Sequence, residues 1–261
     1  MNITFSKWQG TGNDFVLVDD RAGILLGREE ELARRLCDRH FGIGSDGLIL
    51  VRRPMDVGAD FHMEFLNPDG SRSFCGNGSR CAFAYWSRSL HGGAQGSFSA
   101  IDGKHAGTWV GDEVSISLPD LPMVDMDTAE PGTDFVNTGS PHELVWSSAV
   151  DAVPITEDAP RRRYAPRHGA GGSNINYIQQ ADGGIRMRTY ERGVEAETLS
   201  CGSGVVAAAL SAVQRGLAIP PVLVDTRGGR LTVHVRSAQG GYTDVRLVGP
   251  VREVFTGTIE L

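Results

Sequence analysis

The sequence predicts a mixed α/β protein built from two structurally similar halves. The pattern C-G-x-G occurs at positions 75–78 and again at 201–204, nearly half of the 261-residue chain apart. The triplets Thr11-Gly12-Asn13 and Thr138-Gly139-Ser140 repeat at almost the same spacing, each before an apolar segment. A third, weaker pair of segments, 46–51 and 174–179, keeps the same order, and such self-similarity indicates an internal repeat.

In the first half, short apolar or alternating segments predict strands and two longer segments predict helices. The helix over 28–40 has glutamates in its first turn and Arg39 and His40 in its last, which suits the helix dipole, and Gly42 suits a C-cap. The strands are expected at 3–8, 14–19, 48–51 and 61–65, the second helix at 79–89, and short strands with glycine turns from about 97 to 118.

The second half repeats this order. Strands are predicted at 143–146, 174–180 and 185–190, a helix at 204–215 ended by Gly216, and further strands at 222–226, 231–236 and 243–248. Short strands outnumber helices, and each half has one helix directly after its C-G-x-G turn. The Pro- and Asp-rich stretch 119–131 is the expected boundary between two domains.

The composition argues against some classes of partner. The formal net charge is −7, which is unlike a general binder of nucleic-acid backbones. The one basic cluster, Arg161 to Arg163 with Arg167 and His168, lies in a Pro/Gly-rich stretch and is interpreted as a solvated loop. No apolar run approaches 18 residues, and the N-terminal segment lacks the apolar core of a signal peptide. We therefore expect a cytoplasmic protein that binds neither a membrane nor nucleic acid.

Each C-G-x-G turn places a cysteine, Cys75 or Cys201, immediately before a helix. The helix dipole lowers the pKa of a thiol there, and the N–H groups of the first turn can bind a carboxylate. Two such thiols facing each other across a cleft suggest inversion of a carbon centre: one thiolate removes the α-proton and the opposite thiol returns a proton. Cys37 and Cys81, in apolar helix faces, are expected to be structural.

No cofactor or metal site is expected. The cysteine spacing matches no zinc pattern, and no lysine has a recognisable pyridoxal context. Positions 42–47 match G-x-G-x-x-G, but a predicted helix precedes this segment and a predicted strand follows it, which is the reverse of a dinucleotide site. The reaction is therefore expected to be cofactor-free.

Other polar residues lie close to these motifs in the sequence. Arg192 could hold a second carboxylate bidentately, or Glu191 and Arg192 could be a surface ion pair. His142 could orient a thiol or be structural. Four asparagines in glycine-containing turns could bind substrate or only shape the turns: Asn13, Asn67, Asn77 and Asn174.

Along nearly its whole length, the sequence resembles the diaminopimelate epimerase family. The segments that carry the resemblance are KWQGTGNDFVLVD, FGIGSDGLIL, FLNPDGSRSFCGNGSRCAFAY, NTGSPHELV, SNINYI and RTYERGVEAETLSCGSGVVAAA. The resemblance implies two pseudo-symmetric α/β domains, each an antiparallel barrel-like sheet around a central helix. It implies domain limits of 1–120, with a returning strand at about 252–261, and 121–251, and a homodimer interface near Phe255.

The resemblance also implies the roles of the site residues. Cys75 and Cys201 are the base–acid pair that interconverts LL- and meso-diaminopimelate, for lysine and peptidoglycan precursors. His142 and Glu191 modulate the thiols. The implied substrate-binding residues are Asn13, Asn67, Gly76, Asn77, Asn174, Glu191, Arg192, Gly202 and Ser203. This chain departs from some members at Gly47, where they carry Gln, and at Ser140, where many carry Asn; it also has one more residue between Gly193 and Glu197.

Three alternatives remain open at this point. The first is a related two-cysteine racemase or epimerase acting on a proline derivative or histidine. The second is a thiol hydrolase or transferase, with one cysteine as nucleophile and His142 as base. The third is a redox-sensing binding protein in which Cys75 and Cys201 form a disulfide.

Overall fold

The computed structural model describes residues 2–260, which form two compact units. The first unit comprises the residues up to Ser117 together with those from Gly249 onward, and the second comprises Leu118–Val248. The domain limits implied by the resemblance, 1–120 with about 252–261 and 121–251, remain a prediction.

The first unit contains eight strands and two helices. The strands are β1 (Asn2–Gly10), β2 (Asn13–Asp19), β3 (Gly47–Arg52), β4 (Phe61–Leu66), β5 (Gln95–Ala100), β6 (Gly103–Val110), β7 (Glu113–Ser117) and the C-terminal strand (Arg252–Glu260), and the helices are α1 (Glu29–Cys37) and α2 (Gly76–Ser89). The sheet is mostly antiparallel: β1 pairs with β2 and with the C-terminal strand, β3 with β4, and β5 with β6 and β6 with β7. Two neighbouring pairs are parallel, β2 with β3 and β4 with β5.

The second unit repeats this arrangement. Its strands are β8 (Leu121–Pro122), β9 (Thr133–Asn137), β10 (Pro141–Trp146), β11 (Asn174–Ala181), β12 (Gly184–Glu191), β13 (Ala196–Thr198), β14 (Val222–Thr226), β15 (Gly229–Ala238) and β16 (Gly241–Pro250), and its helices are α3 (Ile155–Arg163) and α4 (Gly202–Gln214). The C-terminal strand, Arg252–Glu260, is β17. The pairs β9–β10 and β11–β12 are antiparallel, and the pairs β10–β11 and β12–β14 are parallel. The same alternation of antiparallel and parallel pairs runs through β1 to β5. The mixed fold with two similar halves is confirmed.

One helix lies at the centre of each unit. Helix α2 packs against β1 to β4, β6 and β7, and α4 packs against β9 to β12, β14 and β15. Residues Val205 to Leu210 of α4 have no exposed surface, and neither do Cys81 to Ala84 of α2. A helix that is apolar on all sides is stable only when it is surrounded. Each of these helices therefore forms the core of its unit and carries a C-G-x-G motif at its N-terminal end.

The C-G-x-G motifs form the first turns of the helices rather than turns before them. Helices α2 and α4 begin at Gly76 and Gly202, whereas the sequence predicts starts at 79 and 204. The first predicted helix is also shorter than expected and ends at Cys37. Gly42 is not its C-cap. A Cβ at position 42 would lie 2.1 Å from the carbonyl oxygen of Arg35, so close packing requires the glycine.

The basic cluster is not a solvated loop, and the interpretation from sequence is wrong. Arg162 and Arg163 end helix α3, and they pair with Glu143 and Glu195 at 3.0 and 2.9 Å. Arg167 and His168 contact the same buried Glu143 at 2.6 and 2.7 Å. The cluster therefore neutralises carboxylates within the second unit.

Across residues 2–260, no helix is long and apolar enough to cross a membrane. The same residues contain no group of three or more His, Cys, Asp or Glu side chains that could hold a metal ion.

Candidate active site

The two predicted catalytic cysteines occupy the same structural position in the two units. Cys75 is the N-cap of α2 and Cys201 is the N-cap of α4, both in extended backbone conformation. The first intrahelical bonds run from Ser79 N to the carbonyl of Cys75 (2.8 Å) and from Val205 N to the carbonyl of Cys201 (2.9 Å). The N–H groups that precede them in a helix lack intrahelical acceptors and can bind an anion. One of them, that of Gly78, donates to Sγ of Cys75 at 3.4 Å.

The second glycine of each motif lies in a closely packed position. A Cβ on Gly78 would lie 3.2 Å from Cδ1 of Ile49 and 3.5 Å from Sγ of Cys75. A Cβ on Gly204 would lie 2.6 Å from Oδ1 of Asn176. Side chains packed beneath the helix therefore leave no room for a larger residue at position 204 and little room at position 78.

In the first unit, Asn13, Asn77 and Cys75 lie together. Asn13 Oδ1 accepts a hydrogen bond from Asn77 Nδ2 (3.3 Å) and lies 3.7 Å from Sγ of Cys75. Asn13 Nδ2 donates to Oδ2 of Asp46 at 2.7 Å. Because a carboxylate accepts only, Asp46 fixes which end of the Asn13 amide faces the cysteine. Burial, together with the nearby charge of Asp14, raises the pKa of Asp46.

Asn67 is hydrogen-bonded within its own loop. Its Nδ2 donates to the carbonyl of Ser71 and to the hydroxyls of Ser71 and Ser73, at 3.0 to 3.1 Å. These bonds shape the segment that leads into Cys75. Both readings of Asn67 from sequence, turn residue and substrate contact, are compatible with this position.

Gly47 is explained by packing. A Cβ at this position would lie 2.3 Å from Cε2 of Phe65, whose ring packs edge-on against Phe15 at 6.0 Å. The phenyl ring thus takes the space that a side chain at position 47 would need. A glutamine here would require Phe65 to move.

In the second unit, Asn174, Arg192 and Ser140 form a hydrogen-bonded group. Asn174 Oδ1 accepts from the backbone N–H of Arg192 (2.9 Å), and Asn174 Nδ2 donates to Ser140 Oγ (2.9 Å). Arg192 Nη2 also donates to Ser140 Oγ, at 3.3 Å. The guanidinium is exposed and can still bind a carboxylate. Glu191, the last residue of β12, precedes it directly.

His142 contacts Ser203, which in turn lies beside a thiol. The imidazole has no exposed surface, and its Nε2 lies 3.0 Å from Oγ of Ser203, which in turn lies 3.5 Å from Sγ of Cys201. Burial, with a smaller effect from the charge of Arg192, lowers the pKa of His142 to about 3. The ring is therefore neutral near pH 7.

Cys37 and Cys81 are buried outside this arrangement, as expected of structural cysteines. Burial raises the pKa of both thiols, most strongly that of Cys81.

Sequence reasoning missed several residues that position the site. Asp46 orients Asn13, and Asn176 contacts His142 Nδ1 at 3.1 Å. Arg80, fully buried in α2, donates to the carbonyl of Gly76 (3.5 Å) and to the hydroxyl of Thr11 (3.3 Å). Asn176 could have been predicted from the sequence. It is two residues from Asn174 in a predicted strand and therefore lies on the same face.

Comparisons with known proteins agree with this architecture. The family model for diaminopimelate epimerase matches residues 5–112 and 135–251. A diaminopimelate epimerase of Flavobacterium psychrophilum is 37% identical over 97% of this chain and 98% of its own. One from Aquifex aeolicus is 38% identical over 98% of each chain.

Solved structures with low sequence identity share the fold. A phenazine biosynthesis protein of the PhzF family from Bacillus anthracis superposes with a TM-score of 0.73 at 14% identity, covering 100% of both chains. A hydroxyproline epimerase from Agrobacterium vitis, with bound trans-4-hydroxy-L-proline, has a TM-score of 0.70 at 15% identity, covering 99% of this chain and 92% of its own. With near full-length relatives above 30% identity and a family model that matches both units, this chain belongs to the diaminopimelate epimerase family.

Proposed function

We propose that this protein interconverts LL- and meso-2,6-diaminopimelate without a cofactor, as a step toward lysine and peptidoglycan precursors. The observation that carries the proposal is the equivalent placement of Cys75 and Cys201, each the N-cap of the central helix of its unit. In a member of this family, such duplication supplies two acid–base groups of the same kind, which is what inversion of one carbon requires.

The reaction is a proton exchange at the α-carbon. One thiolate removes the α-proton and becomes a thiol, and the other thiol delivers its proton to the opposite face of the carbon and becomes a thiolate. The α-carboxylate takes up charge in the transition state, and the first-turn N–H groups at Gly76, Asn77, Gly202 and Ser203 would stabilise it. Proton and charge balance without an external acid or base.

The other end of the substrate explains the remaining polar residues. Diaminopimelate carries a second amino-acid group, and the exposed guanidinium of Arg192 suits its carboxylate. Glu191 and the amides of Asn13, Asn67 and Asn174 suit its ammonium and carboxylate groups. A proline derivative lacks this second group, which favours diaminopimelate over the related racemase reactions.

The hydrolase alternative is disfavoured by the state of His142. A general base needs an accessible nitrogen near the nucleophile and a pKa near the working pH. The imidazole is fully buried, contacts Ser203, and has its pKa lowered to about 3.

The proposed activity is tested by proton NMR of LL-diaminopimelate with the reduced protein in D₂O. We expect deuterium at the α-position together with growth of the meso isomer. Absence of both, in protein shown to be folded, would reject diaminopimelate as the substrate. Histidine and hydroxyproline isomers, measured in the same way, then test the related racemase reactions.

Ser140 is expected to affect binding more than turnover. The Ser140→Ala variant removes the acceptor shared by Arg192 and Asn174, so the guanidinium loses its orientation. We expect KM to rise about fivefold with little change in kcat, because one hydrogen bond contributes on the order of 1 kcal/mol. Steady-state kinetics measures this, with Ser147→Ala as the control. An unchanged KM would show that Ser140 does not hold the binding group.

We also propose a cytoplasmic homodimer. Strand β17 exposes about half of the surface of Val254 and Phe255, and neighbouring apolar side chains on an exposed strand favour association. Light scattering of the wild type is expected to give twice the 28.0 kDa chain mass, and of Val254→Asp a single chain mass. A monomeric wild type would reject the dimer.

A further inference from the structure

A chain of hydrogen bonds leads from the interior of the second unit to the thiol of Cys201. Nδ2 of Asn176 lies 3.1 Å from Nδ1 of His142 and donates to the carbonyl of Glu143 at 3.2 Å. Oδ1 of Asn176 accepts from the hydroxyl of Thr189 at 3.0 Å. The chain continues through His142 Nε2 and Ser203 Oγ (3.0 Å) to Sγ of Cys201 (3.5 Å).

The orientation of the Asn176 amide is determined by its partners. A backbone carbonyl can only accept, so the atom facing Glu143 O must be the amide nitrogen. That nitrogen also faces His142 Nδ1, which must then be the unprotonated acceptor of the ring. Since a neutral imidazole carries one proton, the proton is on Nε2. Asn176 therefore sets the tautomer of His142.

The tautomer decides the direction of the last two bonds. His142 Nε2–H donates to Ser203 Oγ, which occupies one lone pair of the hydroxyl. The single hydroxyl proton of Ser203 is then left to point toward Sγ of Cys201. A hydroxyl that donates to sulfur stabilises the thiolate over the thiol.

Charged side chains of β10 and β12 lie near this chain. His142 and Glu143 are neighbours in β10 and point to opposite faces, and the carboxylate of Glu143 is bonded to Arg162, Arg167 and His168. Arg192 acts on His142 and disfavours its protonation. Glu191 lies two residues after Thr189 in β12 and so on the same face.

We propose that Asn176 and Ser203 are positioning residues that keep Cys201 ready to accept a proton, Asn176 by setting the His142 tautomer and Ser203 by donating its hydroxyl proton to the sulfur. The catalytic role of Asn176 and Ser203 rests on the proposed function, whereas their hydrogen bonds are independent of it. Asn176, His142, Ser203 and Cys201 all belong to the second unit.

The proposal is tested by titrating the thiolate absorbance of Cys201 near 240 nm in a Cys75→Ala background, with the Cys75→Ala/Cys201→Ala double variant as the blank. Adding Ser203→Ala is expected to raise the midpoint of thiolate formation by about one to two pH units, the usual size for loss of a bond to a charged group. Asn176→Leu is expected to raise it by a smaller amount. Ser203→Thr, which keeps a hydroxyl, is expected to restore the original midpoint.

The matched control is Ser211→Ala, which removes another buried hydroxyl from the same helix without touching the chain to Cys201. Its midpoint is expected to stay at the original value. An equal shift in Ser211→Ala, or no shift in Ser203→Ala, would overturn the role of Ser203. Nitrogen-15 NMR of the His142 ring is expected to show Nε2–H, and a proton on Nδ1 would overturn the role of Asn176.

These measurements need no substrate. A shifted midpoint in a protein that exchanges no α-proton of diaminopimelate would reject the proposed function and keep the hydrogen-bond chain. An active protein with an unshifted midpoint would support the proposed function and reject the role of the hydrogen-bond chain.

Discussion

Replacing Cys75 or Cys201 with alanine is expected to lower kcat for diaminopimelate epimerisation by at least about 10³-fold, within the usual contribution of a positioned acid or base. Each thiol is required once in every turnover, so the two variants are expected to be similarly impaired. KM is expected to change little, because Arg192 and the first-turn N–H groups remain. Steady-state kinetics in both directions, under reducing conditions, measures the loss.

Cys37→Ala and Cys81→Ala are the matched controls for the loss of a thiol. Both side chains are buried and neither caps a helix N-terminus, so these changes are expected to lower stability and leave kcat close to the wild-type value. A Cys75 or Cys201 variant that keeps more than about a tenth of the wild-type kcat would contradict the two-thiol mechanism.

The single-thiol variants also assign the two faces of the carbon. With one thiol left, α-proton exchange with D₂O is expected to persist slowly for one stereoisomer and to vanish for the other, without net inversion. The isomer that still exchanges in Cys75→Ala is the one whose proton Cys201 removes. Exchange of both isomers in one variant would mean that a single thiol reaches both faces.

The repeat could be predicted from sequence because it is carried by short local motifs. Residues 11–12 and 138–140 form the turns between β1 and β2 and between β9 and β10, and Gly12 and Gly139 have φ of 84° and 92°, a backbone conformation suited to glycine. The start of α2 was misplaced because Gly76-Asn77-Gly78-Ser79 are weak helix formers. Tertiary packing and the N-cap at Cys75 override this local preference.

Helix α3 was missed because its stabilising partners are far away in the sequence. Pro160 lies inside it, which argues against a helix on local grounds. Its arginines, however, pair with Glu130, Glu143 and Glu195, which only the folded unit brings close. Asp46 and Asn176 were missed for the same reason: a positioning residue is recognised by what it contacts, and those contacts cross strands.

Of the changes outside the site, Asp134→Asn is expected to have the largest effect on stability. Asp134 is fully buried at the start of β9 and accepts two hydrogen bonds from Arg215 (2.6 and 2.8 Å) and one from the hydroxyl of Ser211 (2.6 Å). The variant keeps the size of the side chain but leaves the Arg215 guanidinium with only the exposed carboxylate of Asp127, at 2.8 Å. Removing the buried partner of an ion pair is strongly destabilising, and we expect the free energy of unfolding to fall by about 3 kcal/mol.

The control is Asp151→Asn, which removes an exposed carboxylate 2.7 Å from Arg186 in the same unit. Its effect on the free energy of unfolding is expected to stay below about 1 kcal/mol, because exposed pairs are screened by solvent. Denaturant unfolding of the three proteins at one pH gives both differences. Equal losses in the two variants would show that burial of the Asp134–Arg215 pair does not matter.

The pH dependence of this difference gives a second test of the same pair. Burial raises the pKa of Asp134, but the bonds from Arg215 and Ser211 outweigh it and hold that pKa below its usual value. A carboxyl whose pKa is lowered on folding stabilises the protein above the pKa of the unfolded chain, about 4, and loses this contribution as the pH falls through the folded value. The stability gap between wild type and Asp134→Asn is therefore expected to be constant between about pH 5 and 8 and to narrow below about pH 4. If the difference in free energy of unfolding stayed constant below about pH 4, the loss of stability in Asp134→Asn would not come from the charge of Asp134.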